Sequence, residues 1–103
     1  LSVRDDAHDD LAARGLATRH VVNVWKVGLF RDSRVMRLQV RADGMTRNGS
    51  VFSSPLPGLA AQLEQNEKYV IEVRTERLSG TTVTTSHEYT MSFTYTGAFQ
   101  RAD

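Results

Sequence analysis

The clearest pattern in the chain is an alternation of polar and apolar positions near its C-terminal end. Over residues 82–96 every even position is Thr, Ser or Glu, whereas most odd positions are apolar. A helix would distribute these residues around its whole circumference, so the pattern predicts a strand. Residues 69–73 alternate in the same way and are followed by a Ser79-Gly80 turn, which predicts an antiparallel hairpin.

In this hairpin we expect residues 83–95 to pair with residues 69–78, with Tyr89, Met91 and Phe93 facing the core. The first strand is the shorter of the two, so residues 93–97 are predicted to run past their hairpin partner. Such an overhang needs another pairing partner. We expect either a different strand of the domain or a neighbouring subunit to supply it.

Two further strands are predicted upstream. Residues 20–30 are rich in β-branched and aromatic side chains on both alternating faces, which is typical of a strand buried on two sides and predicts that Trp25 is buried. Residues 35–42 alternate cleanly. We expect their arginines, Arg37 and Arg41, to be exposed and their apolar side chains to face the core: Met36, Leu38, Val40 and Ala42.

The remaining segments are short. Asp43-Gly44 and Asn48-Gly49 predict turns, with a short strand at residues 51–52 after them and a proline-containing loop over residues 53–58. Residues 59–66 fit a helical turn or a strand. Residues 1–15 fit a short helix or a polar lead-in, and residues 16–103 form a single β-rich domain.

These elements predict a mainly β fold, a small antiparallel β-sandwich with one or two short helical segments. The alternative is an α+β fold, an antiparallel sheet with helices on one face. Trp25 between aliphatic residues and the spacing Leu63-x5-Tyr69-x-Ile71-x-Val73 resemble a fibronectin type III domain. The resemblance implies that residues 16–97 supply the sandwich, that Trp25 packs between the sheets, and that Leu63 closes a turn pinned by the Tyr69 hydroxyl.

Composition narrows the possible functions. At 103 residues the chain has room for one core, and its formal charge of +1 gives little overall attraction to nucleic acid or an anionic membrane. The absence of cysteine excludes thiolate zinc sites, disulfides and thiol catalysis, and it fits either a reducing compartment or a domain whose core suffices without disulfides. The localisation stays open, with an intracellular one slightly favoured. No run approaches the roughly 18 apolar residues of a membrane span, so we expect no membrane partner.

No group of residues predicts a catalytic, cofactor-binding or metal-binding site. The three histidines, His8, His20 and His87, lack metal-ligand spacing, and no nucleophile or phosphate-binding motif is present. The acidic pairs Asp5-Asp6 and Asp9-Asp10 are interpreted as solvation and helix-start charge. Asn48-Gly49-Ser50 matches a glycosylation acceptor but is equally a turn sequence.

Arginines provide the best case for an anion-binding surface. Arg37 and Arg41 share a strand face, with Arg34 and Arg47 near its ends, and no aromatic residue is expected there to stack a base. Glu72, Arg74 and Glu76 lie on the exposed face of another predicted strand. A cross-strand Arg/Glu ladder therefore competes with nucleic-acid binding as an explanation.

The absence of chemistry and the long, Thr-rich last strand favour a non-enzymatic interaction or assembly module within a larger complex or particle. Its partner would be another protein, or copies of itself, joined through a strand edge. The alternative is a small nucleic-acid-binding domain using the arginine-bearing face. A third option is an enzyme or enzyme accessory whose site is completed by a partner. The candidate surface comprises Arg37, Arg41, Glu72, Arg74, Glu76, Phe93 and Tyr95.

Overall fold

The computed structural model describes residues 1–97, which form two antiparallel sheets. The fold is mainly β and sandwich-like, which confirms the predicted fold class. Single turns of 3-10 helix lie at Ala42–Gly44 and Ala60–Gln62. In chain order the other elements are β1 (Ser2–Arg4), α1 (His8–Ala13), β2 (Ala17–Lys26), β3 (Ser33–Arg41), β4 (Thr46–Asn48), β5 (Val51–Ser53), β6 (Lys68–Ser79) and β7 (Thr82–Thr94).

The larger sheet has the strand order β3-β2-β6-β7, and the smaller sheet has the order β1-β5-β4. β2 lies in the interior of the larger sheet because its sequence is apolar on both faces. Val21, Val22 and Val24 are at most 1% exposed. β1 lies within residues 1–15, for which the sequence predicted either a short helix or a polar lead-in and no strand. It pairs with β5.

The core lies against one face of the larger sheet. Loop residues Leu59 and Leu63 pack over this face, because the 3-10 turn at Ala60–Gln62 folds the chain back across it. A smaller cluster of Ala42, Met45 and Phe52 fills the space beneath the smaller sheet. The main cluster consists of Val22, Val24, Leu59, Leu63, Tyr69, Val73 and Tyr95.

The predicted alternation along β3 is confirmed in direction. Arg37 and Arg41 are exposed, whereas Met36, Leu38 and Val40 are half-buried and pack against the two clusters. Their burial is partial because β3 is the edge strand of the larger sheet, so they have neighbouring strands on one side only.

The hairpin of β6 and β7 forms through the predicted turn at Gly80, where φ is +59°. A bulge opposite Thr75 and Glu76 places one extra residue, Ser86, in β7. The predicted overhang of residues 93–97 is wrong, because Phe93 lies opposite Tyr69 and Thr94 opposite Lys68. Pairing then continues past the strand, since the Tyr95 N–H donates to the carbonyl oxygen of Glu67 at 3.0 Å.

The bulge also changes which side chains of β7 share a face. Tyr89 lies opposite Val73 on the core-facing side, whereas Val83 lies opposite Leu78 on the other side. Tyr89 and Met91 lie on the core-facing side, as predicted, but they are 38% and 55% exposed, so the core does not cover them. Of the three predicted core residues of this strand, only Phe93 packs against the main cluster.

Trp25 does not occupy the predicted position between the sheets. Trp25 is half-buried near the end of β2. It lies on the same face of the strand as Val21 and Asn23, which is the face opposite the core. A bulge between Val24 and Trp25 places the indole opposite Arg34, whose guanidinium carbon lies 5.9 Å from the ring centroid. The core role that the fibronectin resemblance implied for Trp25 is therefore wrong.

The loop between β2 and β3 carries exposed apolar side chains. The first strand was predicted to reach residue 30 but ends at Lys26, and Leu29 and Phe30 are 97% and 99% exposed. Gly28 permits this tight loop, because a Cβ atom there would lie 2.2 Å from the carbonyl oxygen of Arg31.

Candidate interaction surfaces

The outer edge of β7, which we call the β7 edge, is the longest open strand edge of the larger sheet. β7 pairs with β6 on one side and stands at the end of the strand order, so no strand within residues 1–97 pairs with its other side. Its thirteen residues contain no Lys, Arg, Pro or Gly, and its one acidic residue is Glu88. It therefore lacks the residues that usually prevent an edge from pairing with another chain.

The hydrogen bonds of Tyr95, just after the end of β7, show which way the backbone groups of this strand point. Tyr95 donates its N–H to Glu67 and accepts from Asn66 at 2.7 Å, so its peptide groups point toward the extension of β6. Backbone direction alternates along a strand, so the peptide groups of Phe93, Met91 and Tyr89 also point inward. The N–H and C=O groups of Glu88, Thr90 and Ser92 consequently point outward along the β7 edge.

The opposite edge of the sheet is chemically different. β3 carries exposed arginines at positions 34, 37 and 41. The Gln39 amide, oriented with its oxygen toward Arg37, accepts hydrogen bonds from Nη2 at 2.9 Å and Nη1 at 3.1 Å. Arg41 Nε lies 3.9 Å from Asp43 Oδ1. Charged side chains thus protect the β3 edge more than the β7 edge, which has one charged residue, Glu88, and the bulge at Ser86.

The face of the larger sheet that points away from the core brings together most of the predicted surface residues. We call it the arginine face. This face carries the charged residues that were predicted for β3 and β6. In each row of residues across the sheet, one residue of β2 lies between a residue of β3 and a residue of β6. Its arginines are Arg19, Arg34, Arg37, Arg41 and Arg74, and its acidic residues are Glu72, Glu76 and Glu88.

The predicted ladder between the β3 arginines and the β6 glutamates does not form, because β2 separates the two strands. Glu76 instead accepts a hydrogen bond from Arg19 Nε at 2.6 Å. Arg74 Nε lies 3.4 Å from Glu76, within ion-pair distance but without hydrogen-bond geometry. Glu72 accepts a hydrogen bond from Asn23 at 3.1 Å.

Three predicted surface residues lie elsewhere. Arg47 belongs to the smaller sheet, where it donates to both carboxylate oxygens of Asp9, at 2.9 and 2.7 Å. Phe93 is half-buried, with its ring 5.8 Å from that of Tyr69. Tyr95 is 8% exposed and belongs to the main core cluster. The aromatic pair assigned to the candidate surface is therefore part of the core.

A buried polar cluster joins the N-terminal segment to β6. Arg77 donates to Asp5 Oδ2 at 2.6 Å and Oδ1 at 2.8 Å, and to Thr18 at 2.7 Å. The hydrogen bonds from Arg77 hold the pKa of the Asp5 carboxyl below its usual value. Nearby His20 is fully buried, with Nδ1 2.9 Å from the Thr75 hydroxyl oxygen, and burial lowers its pKa. Sequence reasoning missed this cluster because its members are distant along the chain.

Within residues 1–97 no group of three or more His, Asp or Glu side chains is arranged to hold a metal ion. Over the same range no helix is long and apolar enough to span a bilayer.

Comparison of the chain with protein-family models, with curated proteins and with solved structures gave no match. The resemblance to a fibronectin type III domain therefore stays a prediction. One contact agrees with it: the backbone N–H of Glu64 donates to the Tyr69 hydroxyl oxygen at 2.6 Å, directly after Leu63.

Proposed function

We propose that this protein is a non-enzymatic interaction module that binds a protein partner by adding a strand to the β7 edge. The observation that carries the proposal is the difference between the two edges of the larger sheet. The β3 edge carries arginines, whereas the β7 edge offers outward peptide groups without a positively charged residue or proline.

The side chains of β7 support the same mode of binding. Tyr89 and Met91 lie on one side of the strand, 38% and 55% exposed, and an added strand would cover them. On the other side, Thr90 and Ser92 offer hydroxyl groups to neighbouring side chains. Backbone hydrogen bonds would supply affinity, and the apolar side would favour partner strands with apolar residues at alternating positions.

The proposal is tested with a synthetic probe, an alternating Thr-Val peptide of about nine residues. Titrated into isotopically labelled protein, the peptide should slow amide hydrogen exchange at Glu88, Thr90 and Ser92. The amides of β3 provide the control, because the same sheet ends there with arginines. Fast exchange at Glu88, Thr90 and Ser92 both without and with the peptide, or equal protection at both edges, would overturn the proposal.

A second candidate function is nucleic-acid binding on the arginine face. The position of Trp25 favours it, because this half-buried indole lies on the same face as Arg37 and Arg41. A base that stacked on the ring would share it with the Arg34 guanidinium, whose carbon lies 5.9 Å from the centroid. The carboxylates of Glu72, Glu76 and Glu88 lie on the same face and argue against nucleic-acid binding, because they carry the same charge as phosphate groups. Salt-sensitive retention on heparin that disappears in the double variant Arg37→Glu/Arg41→Glu would support it, and retention unchanged by those substitutions would exclude it.

A further inference from the structure

We infer that the partner at the β7 edge is a second copy of this chain, with the two β7 strands antiparallel about a two-fold axis at Thr90. This inference rests on the proposed function and names its partner. It follows from the directions of the β7 backbone groups, the position of the bulge and the charge of the strand.

The backbone directions limit the registers that two copies can adopt. Antiparallel strands exchange hydrogen bonds only where outward peptide groups face outward peptide groups. In β7 these groups belong to Glu88, Thr90 and Ser92. A two-fold axis at Thr90 places each Thr90 opposite its copy and each Glu88 opposite Ser92, and this arrangement forms about six backbone hydrogen bonds.

The side chains favour this register over the one centred on Met91. It places Tyr89 of one copy opposite Met91 of the other, in the pairs whose side chains approach most closely. These are the two apolar residues that the core leaves exposed on that side of β7. An axis at Met91 would instead place Tyr89 opposite Phe93, which already packs against the main cluster.

Charge and the bulge exclude other registers. An axis at Glu88 would place two carboxylates directly opposite each other. An axis closer to the start of the strand would carry the pairing across the bulge at Ser86, where the ladder is irregular. In the register centred on Thr90 each Glu88 lies opposite a neutral serine. The chain as a whole carries a formal charge of +1, so two copies repel only weakly.

The absence of cysteine makes cross-linking a direct test of the register. Residues at a hydrogen-bonded antiparallel pair have Cα atoms about 5.5 Å apart, within disulfide range. Under mild oxidation Thr90→Cys should form a covalent dimer. Thr84→Cys is the matched control, because it is an exposed threonine of the same strand whose copies would lie about 40 Å apart in this register. Equal cross-linking at both positions would overturn the register, and so would cross-linking at Met91→Cys but not at Thr90→Cys.

Sedimentation of the full chain tests the dimer itself. The unmodified protein should sediment as a dimer. In Thr90→Lys the dissociation constant of this dimer should rise about tenfold or more, because two lysines then face each other. In Thr84→Lys the dissociation constant should stay unchanged. A monomer at every concentration would overturn the inference. If that monomer still binds the Thr-Val peptide, the proposed function stands with a different partner. If it binds no peptide, both fail.

Discussion

Arg77 and Asp5 form a two-point ion pair, with Nη1–Oδ2 and Nη2–Oδ1 distances of 2.6 and 2.8 Å. The Arg77 and Asp5 side chains are 10% and 5% exposed, and they join β6 to the chain that follows β1. The pair therefore attaches the N-terminal segment to the larger sheet.

We expect Asp5→Ala to lower the free energy of unfolding by about 3 kcal/mol, because it leaves the Arg77 guanidinium buried without its counter-charge. Chemical denaturation measures the change. Asp6→Ala is the matched control and should have almost no effect, because the Asp6 side chain is 71% exposed and 3.9 Å from Arg4. Equal losses in the two variants would show that the ion pair does not stabilise the fold.

His20 predicts an acid-sensitive stability. Burial lowers its pKa in the folded state, where Asp5 raises it and Arg77 and His8 lower it further. As the pH falls through about 6.5, His20 in the unfolded chain therefore binds a proton, whereas His20 in the folded chain binds one only at a lower pH. The stabilising contribution of neutral His20 is present above that pH and is lost as the pH falls toward the folded-state pKa.

Denaturation curves measured between pH 7.5 and pH 5 should thus show the free energy of unfolding falling with pH. His20→Gln should flatten this dependence, whereas His87→Gln, at an exposed position of β7, should leave it unchanged. An unaltered slope in His20→Gln would assign the titration to another group. Asp5 adds a separate loss only below its usual range near pH 3.8, because its pKa is lowered.

The hydroxyl of Tyr69 should contribute measurably to stability. Tyr69→Phe removes the acceptor for the Glu64 N–H and should cost about 1 kcal/mol, while the ring keeps its core position. Tyr89→Phe is the control because that ring is 38% exposed. A loss in Tyr69→Phe no larger than in Tyr89→Phe would show that the hydrogen bond is energetically neutral.

The exposed loop tip should be dispensable for folding. Replacing Leu29 and Phe30 together by serine should change the free energy of unfolding by less than about 0.5 kcal/mol, because both side chains are already in water. Phe52→Ala, at a residue 2% exposed, should cost about 3 to 5 kcal/mol. Thermal unfolding compares the two. A large loss in the loop variant would mean that the tip packs against another part of the chain.

Much of the strand arrangement could be predicted from local pattern. Period-two alternation is a property of neighbouring residues, so the sequence predicted the strands, the hairpin turn at Gly80 and the exposed side of β3. The sequence did not predict elements that are too short to show an alternation of polar and apolar residues. β1 has three residues and forms through pairing with β5, which lies about fifty positions away along the chain.

The errors concern tertiary coverage and bulges. Trp25 lies in a strand that is apolar on both sides, so its sequence did not indicate which face the core would occupy. One extra residue at Ser86 shifted the pairing of β7 by one position, and pairing with Lys68 and Glu67 before Tyr69 removed most of the predicted overhang. Of the candidate site, the sequence identified β7 and the arginines. It did not identify which backbone groups of β7 point outward, because that depends on pairing with Glu67.

The unequal edges of the larger sheet have a consequence for how far an assembly can grow. When two copies join through β7, both outer margins of the combined sheet are β3 strands, and each presents Arg34, Arg37 and Arg41. A third copy that approached such a margin with its own β3 strand would meet like charges, and the two β7 edges of the joined copies are already occupied by each other. Fibre formation requires an interface that is renewed after each addition. Within residues 1–97 the β3 side offers no second β7 edge, so in the proposed dimer growth by β7–β7 pairing would stop after one addition.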